Sequence, residues 1–233
     1  MESIQEQLKG VSKNLHNLSI YINTRNDIER LHRDNIFNRR FSAMLSSYSD
    51  FETVALRLER NVKESREVEH SIRVRMEGLM EIPDELQPAM RIAGQLTREM
   101  QADFKSLYMF GKIFLDEYTT LLTFIHNWRG ISTGSITSIY NSFTKYAGSD
   151  PQVLRFKASC YNRLRASDVF ITQYRDKYVV HDQTEHKEAR WFINDMNGDV
   201  RILGSRPSIT PKELVFVVAG YVEDTTAYTK SDL

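Results

Sequence analysis

Between Tyr174 and Asp182 the chain reads Tyr-Arg-Asp-Lys-Tyr-Val-Val-His-Asp, and few other stretches concentrate so much reactive chemistry. Arg175 carries a permanent guanidinium that can grip a phosphate through two parallel N–H donors. His181, six residues on, titrates near neutral pH and can take or give a proton. Asp176 and Asp182 place a carboxylate beside each of them, and Lys177 adds a cation suited to a nucleic-acid backbone. On an ideal helix, six residues amount to about 240° of rotation and about 9 Å of rise, so Arg175 and His181 do not share a face. They converge through a distorted helix end or through a second copy of the chain. A two-fold dimer would bring two Arg and two His around one cleft. Such a set suffices to cut RNA through its own 2′-hydroxyl, the imidazole moving the proton and the cations stabilising the crowded phosphorus. The structural alternative is a helix end, with Arg175 paired to Asp182 and His181 near the negative end of the helix dipole.

Other candidates carry competing readings. Asp116 and Glu117 form a paired-carboxylate acid/base or metal site, or else Asp116 anchors a buried base such as Lys112 or Arg175. Lys112 is also a candidate RNA contact. His181, Asp182 and His186 lack a flanking cysteine or a second histidine motif, so no metal site is expected. Cys160 has no clear histidine partner and reads as a small buried hydrophobe. Trp128 and Arg129 line a cleft or fill the core, with core filling favoured. The glycine-rich phosphate loops and the GxSxG elbow are absent, so no nucleotide cofactor is expected.

The elements that must position these groups are helices. Ile4, Leu8, Val11, Leu15, Leu18 and Ile22 mark one apolar helical face. Asp34 or Asn35 caps a long segment running to about Met80, densely charged with both signs between Arg57 and Arg75 as a solvated helix is. Pro83 ends it, with Asp84 or Glu85 opening the next element. From about Pro88 to Trp128 a helix turns apolar over most of its circumference, which predicts the central core helix. Within it Asp103, Lys112, Asp116 and Glu117 need partners. A loop over Arg129–Ser135 and a short helix over Ile136–Tyr146 follow. Asp150 then caps, and Pro151 begins, a helix predicted to continue through the Arg175 stretch and fade near Asp182. Asn197-Gly198 between β-prone runs predicts a hairpin at about 190–203. Thr210-Pro211-Lys212-Glu213 opens the last helix with a capping box, and Thr229–Leu233 is expected to fray.

The expectation is a mainly α helical bundle with long N-terminal helices and a small β-hairpin before the C-terminal helix. Residues 1–83 form an N-terminal helical extension and 84–233 the bundle, together one compact unit. With 31 basic and 31 acidic residues, no global pull toward nucleic acid is visible, which leaves only a local patch for such a role. A single cysteine excludes an internal disulfide, and no apolar run approaches membrane-spanning length, so a cytoplasmic protein without membrane contact is expected.

The Arg175-Asp176-Lys177-Tyr178-Val179-Val180-His181 stretch resembles the motif of the HEPN (higher eukaryotes and prokaryotes nucleotide-binding) superfamily. The segment from Asp103 to Asp116 is similar to the second helix of uncharacterised bacterial proteins with the same Arg…His helix end. The resemblance spans about residues 90–185. It implies a four- or five-helix bundle, a homodimer joined through the motif helices, and metal-independent RNA cleavage by a toxin or antiphage effector. Arg175 and His181 would be catalytic, Asp176 the polar residue following the Arg, and Asp176 or Asp116 the group orienting the pair. An antitoxin or other protein partner would fit that role. One branch of the superfamily carries a modifiable tyrosine two residues after the His, where this chain has Gln183. The other reading is a non-catalytic helical interaction or dimerisation protein.

Overall fold

Apolar residues at every third or fourth position decide the long elements. In the computed structural model, which describes residues 3–78, 82–173, 193–194, 200–201 and 210–233, they form one extended set of antiparallel and parallel helices. Helix α1 spans Ile4–Thr24, closed at its start by a capping box between Ser3 and Glu6, and its six expected apolar positions are all buried. The chain turns at Arg25–Ile28, makes a single helical turn (α2, Glu29–His32) and a 3₁₀ turn at Arg33–Asn35. Helix α3 covers Ile36–Met76. A second 3₁₀ turn, Asp84–Leu86, leads into α4, Gln87–His126. Helices α5 (Ile136–Lys145), α6 (Pro151–Ser167) and α7 (Pro211–Asp232) complete the set. No helix among the described residues is long and apolar enough to cross a membrane.

Side-chain contacts fix the directions. Tyr48 donates to the Leu8 carbonyl at 2.7 Å and the Ile4 amide donates to Glu59 at 3.2 Å, so α1 runs antiparallel to α3. Tyr118 meets Thr225 at 2.8 Å and His126 meets Thr229 at 3.0 Å, so α4 and α7 run together. Arg155 pairs with Asp232 and Arg163 with Asp224, which sets α6 against α7. Thus α1, α4 and α7 point one way and α3 and α6 the other. Phe51, Phe114, Tyr118 and Tyr221 form a chain of ring contacts through the centre, with centroids 5.8–6.2 Å apart. Gly111 admits this packing: a Cβ there would lie 3.2 Å from the Phe51 ring. Pro83 falls at the distal end of the α3–α4 hairpin, and the apolar cluster runs without interruption from α1 through α7.

Four local expectations need correction. Asn35 precedes α3 as expected, but with φ 55° and no side-chain capping bond, and Asp34 is also left-handed at φ 52°. Two short polar residues, the types that tolerate this region, reverse the chain here. The helix from Pro151 does not run on as an α-helix: it ends at Ser167 and widens into a π-helical segment over Asp168–Gln173. The tail does not fray at Thr229, because α7 continues to Asp232, whose carboxylate is only 2% exposed and held by Arg155. The expected hairpin at about 190–203 reduces, among the described residues, to two antiparallel residue pairs, Ile193 with Arg201 and Asn194 with Val200.

Candidate functional site

The segment that carries Arg175 and His181 begins where α6 ends. Asp150 caps α6 by accepting from the Gln152 amide at 2.9 Å, and Pro151 occupies the first turn, where no amide donor is needed. Val153, Phe156, Cys160 and Leu164 then bury one face against α5 and α7. At Asp168 the hydrogen-bond step lengthens to five residues. Such π segments are rare and turn the residues after them to a new face of the helix. The widened turn is held in place: the Asp168 carboxylate, 2% exposed, accepts from Thr137 Oγ1 of α5 at 2.7 Å, and Ile171 is fully buried. Gln173 is the last described residue before the motif. Arg175, Asp176, Lys177 and His181 lie outside the described residues, as does the proposed Asp182 pairing.

The two remaining candidates sit on α4, four residues apart. Lys112 is 4% exposed, and its ammonium is closed onto the Asp116 carboxylate. Asp116 Oδ1 also accepts the Ile136 amide at 2.7 Å, satisfying one of the free donors in the first turn of α5. Ser135 serves the next donor, the Ser138 amide, at 3.2 Å. Asp116 therefore ties α4 to α5 and neutralises a buried cation. This internal pairing is what the structure shows for Lys112, the candidate RNA contact.

Asp103 shows the same logic. It is 3% exposed and receives the Arg57 guanidinium together with Asn61 Nδ2 at 3.2 Å, crossing from α3 to α4. Glu117 accepts from Ser47 at 2.8 Å, again across that seam. The four charged residues singled out on the core helix, Asp103, Lys112, Asp116 and Glu117, all have partners. Asp116 and Glu117 also border an open depression of about 260 Å³ with Arg40, Ala43, Thr120 and Leu121. Arg40 lies over the Phe124 ring at 4.8 Å. Among the described residues no group of three His, Cys, Asp or Glu side chains converges as a metal cage would.

One polar cluster was not anticipated. His126, at the end of α4, stacks on Trp128 with ring centroids 4.8 Å apart, and its Nε2 lies 3.0 Å from Thr229 Oγ1. Its Nδ1 stands 3.8 Å from Asp232, which also accepts from Tyr228 at 2.9 Å and pairs with Arg155 at 2.6 Å. Burial drives the His126 pKa down to about 4, outweighing the pull of Asp232 in the other direction. The neutral imidazole is the resident form. The sequence signal was a lone histidine in the last turn of the most apolar helix. Cys160 is buried and its thiol is pushed up to about 12 by that burial, so it is held as the protonated thiol.

Comparison of the chain with family models, with curated proteins and with solved structures finds no match.

Proposed function

We propose that the chain is a metal-independent endoribonuclease of the HEPN type, acting as a toxin or antiphage effector on cytoplasmic RNA. The observation that carries the reading is the Arg175…His181 spacing, entered directly from a helix whose hydrogen-bonding widens at Asp168–Gln173. The mainly helical bundle is compatible with it. In this reading His181 takes the proton from a ribose 2′-hydroxyl, the 2′-oxygen attacks the adjacent phosphorus as the bond to the 5′-oxygen breaks, and that oxygen takes a proton from water, which the His181 imidazolium restores. The products are a 2′,3′-cyclic phosphate and a 5′-hydroxyl. Arg175 grips the phosphate as negative charge accumulates on it, Lys177 holds the neighbouring backbone, and Asp176 orients the pair. Asp116 is engaged by Lys112 and Ile136, which leaves Asp176 as the orienting carboxylate.

The test is cleavage of total tRNA and a short hairpin RNA in EDTA. EDTA-resistant cutting with cyclic-phosphate ends is expected from the wild type and is lost in Arg175→Ala and His181→Ala of unchanged fold. No cutting by a folded wild type would favour a second reading, a non-catalytic helical interaction protein. That reading draws on the way Asp103, Asp116 and Glu117 are all spent on joining helices.

A further inference from the structure

Helices α5 and α6 break the charge balance of the chain. Overall 31 basic residues meet 31 acidic ones, yet from Ile136 to Ser167 five Lys and Arg stand against a single acid. That acid, Asp150, is taken up as the cap of α6. Arg155 and Arg163 turn toward α7, where Asp232 and Asp224 pair with them. Lys157 and Arg165 have no ion pair among the described residues. They recur with Tyr161 at four-residue steps, so the three share one face of α6 over about 12 Å. Tyr140 of α5 adjoins that row, its ring stacked on Tyr161 with centroids 5.5 Å apart and planes 24° from parallel. Thr144 Oγ1 lies 2.9 Å from the Tyr161 hydroxyl and donates to the Tyr140 carbonyl at 2.8 Å, which fixes the pair. Hydrogen bonds to Thr144 and Tyr140, and then the charges of Lys157 and Arg165, hold the Tyr161 pKa below its ordinary value. Both cations therefore lie around that ring. The two rings are half-buried and keep an accessible portion.

We infer that this face is a subsite for unpaired RNA, the Tyr140–Tyr161 pair stacking a base between phosphates held by Lys157 and Arg165. Two observations select that occupant. Unopposed cations on a chain of zero net charge draw a polyanion to this one place. A tyrosine stack set among them suits bases whose faces are free, since aromatic rings flanked by cations hold single strands. A duplex hides its base faces, and a run of carboxylates on an acidic peptide offers no ring to stack. The row ends at Arg165, three residues before the π segment that precedes the Arg175 motif. The substrate of the ribonuclease reading is then an unpaired segment rather than a stem. The choice of RNA over DNA rests on that reading; the stacking site itself does not.

The experiment is fluorescence anisotropy of the full chain with a labelled, unpaired 2′-O-methyl RNA of about twelve nucleotides. This probe lacks the attacking hydroxyl and stays whole. Tyr161→Leu should weaken binding by about 5- to 150-fold, while Tyr161→Phe, which keeps the ring, should retain most of the affinity. Lys157→Gln with Arg165→Gln should lower the slope of log affinity against log salt by about 1.4, for two phosphate contacts. Lys9→Gln with Lys13→Gln, exposed on α1, should leave that slope unaltered. The probe annealed to its complement should bind less tightly than the single strand. Absence of wild-type binding overturns the inference. So do equal affinity for the duplex, unchanged binding by a folded Tyr161→Leu, or competition by polyglutamate as strong as by the oligonucleotide. If Tyr161→Leu fails to fold, the cation pair still decides, and an unchanged salt slope overturns the subsite. Cleavage is read separately: a chain that binds in this way but cuts no RNA sinks the ribonuclease reading and leaves the subsite standing.

Discussion

Asp116 illustrates how a carboxylate in an apolar helix is committed. Truncating it to Ala would leave the Lys112 ammonium buried without a counter-charge and free the Ile136 amide. The expected cost is about 2–4 kcal/mol, below the full buried-pair range because Asp116 is 30% exposed. Urea unfolding should show it as a lower midpoint, and Lys112→Met combined with Asp116→Leu should recover most of the loss. Equal instability in the double variant would mean that the pair does not act as a unit. His126 supplies a pH dependence. Its folded pKa of about 4 lies below the ordinary 6.5, so the unfolded chain binds the extra proton between these values. Its contribution is complete above pH 6.5 and is lost as pH falls toward 4, by roughly 3 kcal/mol in total. Unfolding free energies at pH 7 and pH 5 should differ more for wild type than for His126→Gln, and parallel pH curves would argue against a buried neutral imidazole. Sequence alone demanded partners for Asp103, Lys112, Asp116 and Glu117 and named Lys112 as one for Asp116. It could not name Arg57, Asn61, Ser47 or Asp232, because those pairings cross between helices and depend on register.

At the scale of elements, local signals placed most helix starts. Thr210 with Glu213 and Asp150 with Pro151 open α7 and α6 as their types require. Ends were harder to read. The π segment at Asp168–Gln173 breaks no propensity rule, and the hold on it comes from Thr137 on another helix. Thr137→Val should therefore loosen that turn, costing about 1–3 kcal/mol for a buried carboxylate that loses a donor. In the ribonuclease reading it should also lower turnover more than substrate affinity, measurable as a kcat change at steady KM. The crossing of α3 and α4 depends on Gly111. Gly111→Val would drive a branched side chain into the Phe51 ring and should destabilise by about 1–3 kcal/mol, read from thermal unfolding. An unchanged Tm would show that Phe51 has room to move.

At the scale of the molecule, burial divides the α3–α4 hairpin. From Phe104 to Ile125 α4 lies in the continuous core, whereas beyond Ser65 on α3 few side chains are buried. Amide exchange should follow this division, slow across Phe104–Ile125 and faster in the distal part of the hairpin, Val62–Met76. Uniform exchange along the hairpin would mean that its distal part shares the core's stability. The mainly α architecture was readable from periodicity, while the pairing of α1 with α7 was not, since nothing local links elements so far apart. That pairing bears on how the protein is made. The apolar face of α1 leaves the ribosome roughly 190 residues before the helix that covers it, which at 5–20 residues per second is about 10–40 s of synthesis. During that interval Leu8, Val11, Leu15 and Leu18 have α3 beside them but not α7. Translation that stalls before Pro211 would leave a chain with an uncovered greasy helix, a natural target for chaperones and proteases.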